Sequence, residues 1–262
     1  MKHSIKLAAV SYLNTKPLLY GIVQSALADR IELQLRPPAE CARMLEQGEV
    51  DLALVPVAAL PNLHQPRIVS EYCIGTIGAV KTVALFSDRP LEEVEALYLD
   101  HHSRTSVELT RILLREHWHL DPRILPAFDG YIDKIGGQTA GLVIGDRSIG
   151  LNERFAYTYD LGQAWMDMCG LPFVFAAWVS TRKFDPGFLE EFNEAMRSGL
   201  SRIPQLIYLL PDPHPGFDLE EYYTRYISYE LDEPKKEALT LFLRKLGGLR
   251  PKPNAGELVF NK

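Results

Sequence analysis

The sequence predicts an α/β protein of two lobes with a ligand cleft between them. Three observations lead there. Short β-branched runs alternate with amphipathic helical stretches, the mark of a mainly parallel sheet. Two segments, residues 79–87 and 173–180, are each long, β-rich and bounded by polar turns. Between them lies a self-contained second α/β unit, so one lobe is inserted into the other.

The elements follow in order. Residues 5–10 form a first strand that ends in the polar turn Ser11-Tyr12-Leu13-Asn14-Thr15, and Pro17 stands in the first turn of the next helix, where its missing N–H costs nothing. Residues 31–35 are a second strand. Pro38 opens a helix through Glu46 that Gly48 stops, and residues 52–55 make a fully apolar third strand capped by Pro56. The inserted unit comprises strands at 97–99, 123–127 and 141–144, with helices at 106–118, 131–135 and 161–169. After residue 180 the pattern reads as helices only, at 188–203, 219–227 and 235–246. The expected division is a first lobe of residues 1–85 and 178–262 and an inserted lobe of residues 86–177. This is the plan of a two-lobed periplasmic-binding-protein-like (type II) fold, with two crossing strands and a ligand cleft between the lobes. A single continuous doubly wound sheet is the alternative pattern.

Composition narrows the function. The 262 residues are 47% apolar and 24% charged, enough for a packed core without disulfide or metal staples. The net charge of −6 carries no electrostatic footprint for nucleic acid, so an anion must be held by local, oriented donors. The apolar run near the start is too short for a secretion signal and none elsewhere approaches a membrane span, which places the protein in the cytoplasm. Cys41, Cys73 and Cys169 form no Cys-x-x-Cys pair and read as reduced, buried thiols. The tail 250–256 is polar and interrupted by Pro and Gly, as a mobile terminus or an expression remnant would be.

Three segments are candidates for chemistry. Ser11, Tyr12 and Asn14 crowd the turn at the carboxyl end of the first strand, where one of them either caps the next helix or meets a ligand. Ser103, Arg104, Thr105 and Ser106 bring hydroxyls, a guanidinium and free N–H groups to one helix N-terminus, which suits a carboxylate or phosphate. Thr105 and Glu108 also fit a capping box. Gly145 and Asp146 end a strand: the glycine permits close backbone approach, and the carboxylate either bonds a substrate hydroxyl or caps the turn. Strand alternation lets only one of Lys81 and Thr82 face the cleft. The histidine pairs 101/102 and 117/119 have the wrong spacing to share a metal, so no metal site is expected. A P-loop, Gly-x-Gly-x-x-Gly and Gly-x-Ser-x-Gly are all missing, against nucleotide cofactors and serine hydrolysis. The tyrosines between 221 and 226 sit at helical spacing and read as core packing.

Taken together, VSYLNTKPL at 10–18, DLALVPVAAL at 51–60, GAVKTVALFS at 78–87, SRTSVELTRILL at 103–114 and LVIGD at 142–146 resemble the chorismate dehydratases of the futalosine route to menaquinone. The resemblance runs from residue 5 to about residue 245. The related naphthoate synthases open with a Ser-Pro-x-x-Asn-Asp type motif, where this chain has Ser-Tyr-Leu-Asn-Thr. The resemblance implies loss of water from chorismate, giving 3-[(1-carboxyvinyl)oxy]benzoate, with no metal or organic cofactor. It makes Asn14 the contact near the reacting ring and Thr82 the hydroxyl on the crossing strand. Apart from Asp146, no matched motif holds an obvious buried Glu, Asp or His poised as a base, so the enolpyruvyl carboxylate of the substrate is the expected proton acceptor, with a Glu or Asp outside the motifs as the alternative. A non-catalytic intracellular binding protein for a small cyclic carboxylate is the alternative.

Overall fold

Burial sets the first lobe. Residues 7–10 of β1 (Ile5–Val10) and all of β3 (Leu52–Pro56) are buried, an apolar run that needs cover on both faces of its sheet. β1 pairs in parallel with β2 (Ile31–Arg36) and with β3. The connecting helices α1 (Lys16–Val23) and α2 (Pro38–Glu46) each carry proline in the first turn, as the sequence anticipates. β4 (Arg67–Thr76) is a ten-residue strand that the sequence pattern did not disclose, because Ser70 and Glu71 interrupt its apolar run. The computed structural model describes residues 4–249 and 259–260, so the tail 250–256 lies outside the described residues.

The chain then passes into a second sheet. There β5 (Val83–Ser87), β6 (Ala96–Leu99), β7 (Arg123–Pro126), β8 (Thr139–Ile144) and β9 (Tyr157–Asp160) stand in the order β7-β6-β8-β5-β9. Helix α3 (Thr105–Leu113) continues into a wider turn at Leu114–Trp118, and α4 (Leu161–Cys169) leads back to the first sheet. β10 (Phe173–Ser180) inserts antiparallel between β3 and β4. The large sheet thus runs β11-β4-β10-β3-β1-β2, with β11 (Ser228–Glu230) at one edge and β12 (Val259–Phe260) paired to β4. Helices α5 (Pro186–Ser201) and α6 (Glu233–Leu249) belong to the final stretch, which therefore contains a strand as well as helices.

This is a two-lobed periplasmic-binding-protein-like fold, and it corrects the expected boundaries. Neither long segment crosses as a strand. All of β5 lies in the small sheet and all of β10 in the large one, so the lobe changes fall at 77–82 and 161–172 rather than at 85/86 and 177/178. Asp160 joins the two crossings. Its carboxylate accepts N–H groups from Val80 and Lys81 on one and from Gly162 and Gln163 on the other, at 2.7–3.1 Å. Gly162 is needed there, since a Cβ would stand 2.5 Å from the Gly78 carbonyl oxygen. Among the described residues no helix is long and apolar enough to cross a membrane.

Candidate active site

The carboxyl end of β1 and the amino end of α3 face each other across one cavity, about 520 Å³ with the solvent at its open mouth included. Tyr12, Asn14, Ser103, Thr105, Ser106 and Gly145 all line it. The structure therefore brings together six of the ten residues singled out in the sequence. Leu54, Ile74, Val80 and Phe175 supply an apolar floor that the motifs did not reveal.

The first wall is built around Asn14. The segment Leu13–Thr15 is a single 3-10 turn, and Thr15, fully buried, donates its hydroxyl to Asn14 Oδ1 at 3.1 Å. With its oxygen engaged, the amide has its nitrogen left as the donor for a ligand. Tyr12 stacks over Gly145, where a Cβ would meet its ring at 2.8 Å and φ is +65°. The missing Cβ at Gly145 therefore makes room for the Tyr12 ring, while Gly145 itself still lines the cavity. Burial pushes the Tyr12 phenol up to about 12, against the lowering influence of Arg147, so it is neutral at physiological pH.

The second wall is more committed to structure. Ser103 Oγ accepts the Ser106 N–H at 2.9 Å, so Ser103 makes the capping bond and the expected Thr105–Glu108 box does not form at Thr105. Thr105 Oγ1 donates to the Phe175 carbonyl at 3.0 Å and accepts the Ala58 N–H at 3.2 Å. These bonds fasten α3 to the first lobe and leave the hydroxyl no free proton. Arg104 is half-buried beside the helix start and does not line the cavity. Ser106 and the helix N-terminus remain for an anion.

Three expected residues lie elsewhere. Ser11 is exposed, because β1 ends at Val10 and the next residue leaves the sheet. Asp146 accepts the Leu13 N–H through both carboxylate oxygens, at 3.0 and 3.2 Å, and so ties the second lobe to the first; burial raises its pKa, opposed by that N–H. Thr82 is fully buried, but its hydroxyl meets the Tyr222 hydroxyl at 2.7 Å and it does not line the cavity, since the chain bends at 81–82 before β5 begins. Lys81 turns outward at φ +67°, with its ammonium 3.1 Å from Glu221 and 4.3 Å above the Tyr226 ring.

At the rim sits a pair that sequence reasoning missed. Asp100 is wholly buried, and its carboxylate takes Arg147 at 2.6 Å, the Ile144 N–H at 3.2 Å and the His102 N–H at 3.0 Å. This network fixes the 100–103 loop that presents Ser103. His102 Nδ1 lies 3.5 Å from the Tyr12 hydroxyl; burial and then Arg147 lower its pKa, so the imidazole is neutral. No local signal announced the pair, because Asp100 and Arg147 are 47 residues apart.

The cavity lining is chemically spare. Among the described residues that form it there is no carboxylate, amine, guanidinium or imidazole. Nor do three or more His, Cys, Asp or Glu gather anywhere among the described residues as a metal site requires. The lining offers neutral donors on two walls over an apolar floor. That can hold an anion and orient a ring, and it contains no side chain to take a proton at neutral pH.

Solved structures agree on the architecture. A protein of Archaeoglobus fulgidus superposes with a TM-score of 0.70 at 17% identity, over 94% of this chain and 97% of that one. A Candida albicans protein described as having the generic periplasmic binding protein fold gives 0.66 at 11% identity, over 96% and 92%. The alkanesulfonate-binding protein of Xanthomonas axonopodis pv. citri, bound to MOPS, gives 0.64 at 14%, over 95% and 94%. Sequence comparison is more specific. A chorismate dehydratase of Thermus thermophilus is 30% identical, covering 80% of this chain and 84% of its own length. The family described as menaquinone biosynthesis matches residues 5–247, all five motifs included, and by that match the chain belongs to the menaquinone-biosynthesis family.

Proposed function

We propose that this protein is a chorismate dehydratase, a cytoplasmic lyase that eliminates water from chorismate to give 3-[(1-carboxyvinyl)oxy]benzoate without metal or organic cofactor. The observation that carries the reading is the lining itself, which has donors for a dianion and no base. It is supported by the name of the Thermus thermophilus relative.

Chorismate has two carboxylates. One faces the start of α3, where the Ser106 hydroxyl is a neutral donor and the helix N-terminus favours negative charge. The ring lies on the apolar floor, and the Asn14 amide donates to the reacting side. A ring C–H bond breaks as its electron pair enters the ring, and the neighbouring C–O bond releases hydroxide. The proton goes to the enolpyruvyl carboxylate of the same molecule and passes from there to the departing hydroxide, so that the products are water, the regenerated carboxylate and an aromatic ring. Aromatisation drives the reaction, so the protein's part is orientation and exclusion of water. Thr82 shapes the wall from behind through Tyr222, and Asp146 holds the lobes together.

Incubating the protein with chorismate should remove the substrate's absorbance and yield a product lighter by one water. Binding without conversion would instead mark a binding protein. The amide of the enolpyruvyl carboxylate should bind without turning over, whereas normal turnover of that amide would place the base on the protein.

A further inference from the structure

The segment from Tyr222 to Tyr229 contains three buried tyrosines: Tyr222 and Tyr223 on a wide helical turn and Tyr229 on β11. Packing accounts for their rings. It does not account for their hydroxyls, because phenylalanine would fill the same space without bringing a polar atom into the core.

Two hydroxyls reach residues already assigned to the site. Tyr229 Oη donates to the Asn14 carbonyl at 2.9 Å, a contact across 215 residues of sequence. Tyr222 Oη lies 2.7 Å from Thr82 Oγ1, across 140 residues, with both groups fully buried. The Asn14 carbonyl belongs to a turn of only three residues, so a bond to it fixes the orientation of the peptide plane and hence the direction of the Asn14 Cβ. Thr15 then fixes the amide about its own axis. Together they hold the two N–H bonds of the Asn14 amide in fixed directions.

We propose that Tyr229 is a positioning residue for the dehydration, holding the backbone of Asn14, and that Tyr222 serves the same end by holding Thr82 behind the wall. The proposal rests on the reading of Asn14 as the donor to the reacting side. The two tyrosines connect the first-lobe loop and the 77–82 crossing to one short segment, so both parts of the site share a support.

The test uses Tyr229→Phe alone and combined with Asn14→Ala, and Tyr222→Phe alone and combined with Thr82→Val. The tyrosine and threonine substitutions each keep a ring or a shape of nearly equal volume. Tyr229→Phe should lower kcat for chorismate about tenfold with KM little changed, as expected when a small displacement spoils a reacting geometry. In the Asn14→Ala background it should cost almost nothing more, because the group it positions is gone. Tyr222→Phe and Thr82→Val should likewise fail to add. A wild-type kcat in Tyr229→Phe overturns the proposal. So does a loss that adds fully to that of Asn14→Ala, which would assign Tyr229 to stability alone. If the wild-type protein binds chorismate but does not convert it, the functional reading falls, and that result is separate from either of these.

Discussion

The two walls of the cleft look alike in sequence, each a cluster of hydroxyl and amide side chains at the end of a strand, but the structure uses them differently. On the first wall the bond within the cluster engages the oxygen of Asn14 through Thr15 and leaves the nitrogen, the group we propose as the ligand donor. On the second the bonds serve the fold. Ser103 caps the helix, and Thr105 fastens it to Phe175 and Ala58. A polar cluster can therefore mark a ligand site and a structural joint at once, and the partners of each hydroxyl decide which.

The contrast can be broken first at Asn14. Asn14→Ala should lower turnover on the order of 10²-fold, the loss seen when a preorganised donor is removed. An unchanged rate would remove Asn14 from the reaction. Next comes Gly145→Ala, which places a methyl 2.8 Å from the Tyr12 ring at a φ of +65°. Strain of about 1–3 kcal/mol and a displaced Tyr12 should show as a lower Tm together with a several-fold loss of kcat/KM.

The second wall should respond in the opposite sense. Thr105→Val removes a buried hydroxyl with two partners and should cost about 1–3 kcal/mol of stability, a drop of several degrees in Tm, while kcat stays near wild type. Ser106→Ala should leave Tm alone and raise KM a few-fold. If Thr105→Val changed kcat and left Tm unchanged, the division between the walls would be wrong.

The smallest effect concerns the thiols. Burial pushes Cys41 and Cys73 up to about 12, so at pH 8 their thiolate fraction is far below that of an ordinary cysteine. Cys169 is only half-buried, also raised but more accessible. A thiol reagent at pH 8 should therefore modify Cys169 first, and the other two only on unfolding. Rapid labelling of all three in the native protein would contradict the burial.

Much of this was legible in the sequence because it is local. β1, α2 and α4 begin and end where apolar period, proline and glycine place them. The site residues that were found lie within three short motifs, each at a strand end, where a turn must present polar groups. β4, β9 and β11 went unread because each mixes polar with apolar residues and shows no clean apolar run. The tyrosines between 221 and 226 read as packing, which the buried rings of Tyr222 and Tyr223 bear out, but the partner of the Tyr222 hydroxyl stands 140 residues away, and that of Tyr229, outside that reading, 215 residues away.

By itself the sequence determined the two-lobed α/β plan, the family, and the short motifs from which Tyr12, Asn14 and Ser106 reach the cavity lining, since periodicity and motif spacing are properties of neighbouring residues. Tertiary structure alone decided that Asp146 bridges the lobes, that Thr82 turns to Tyr222, that Thr105 spends its hydroxyl on the fold, and that the lining holds no base. The physical reason is that a hydroxyl or carboxylate takes its role from the hydrogen-bond partner it meets, and here those partners come from distant segments joined only when the two sheets pack.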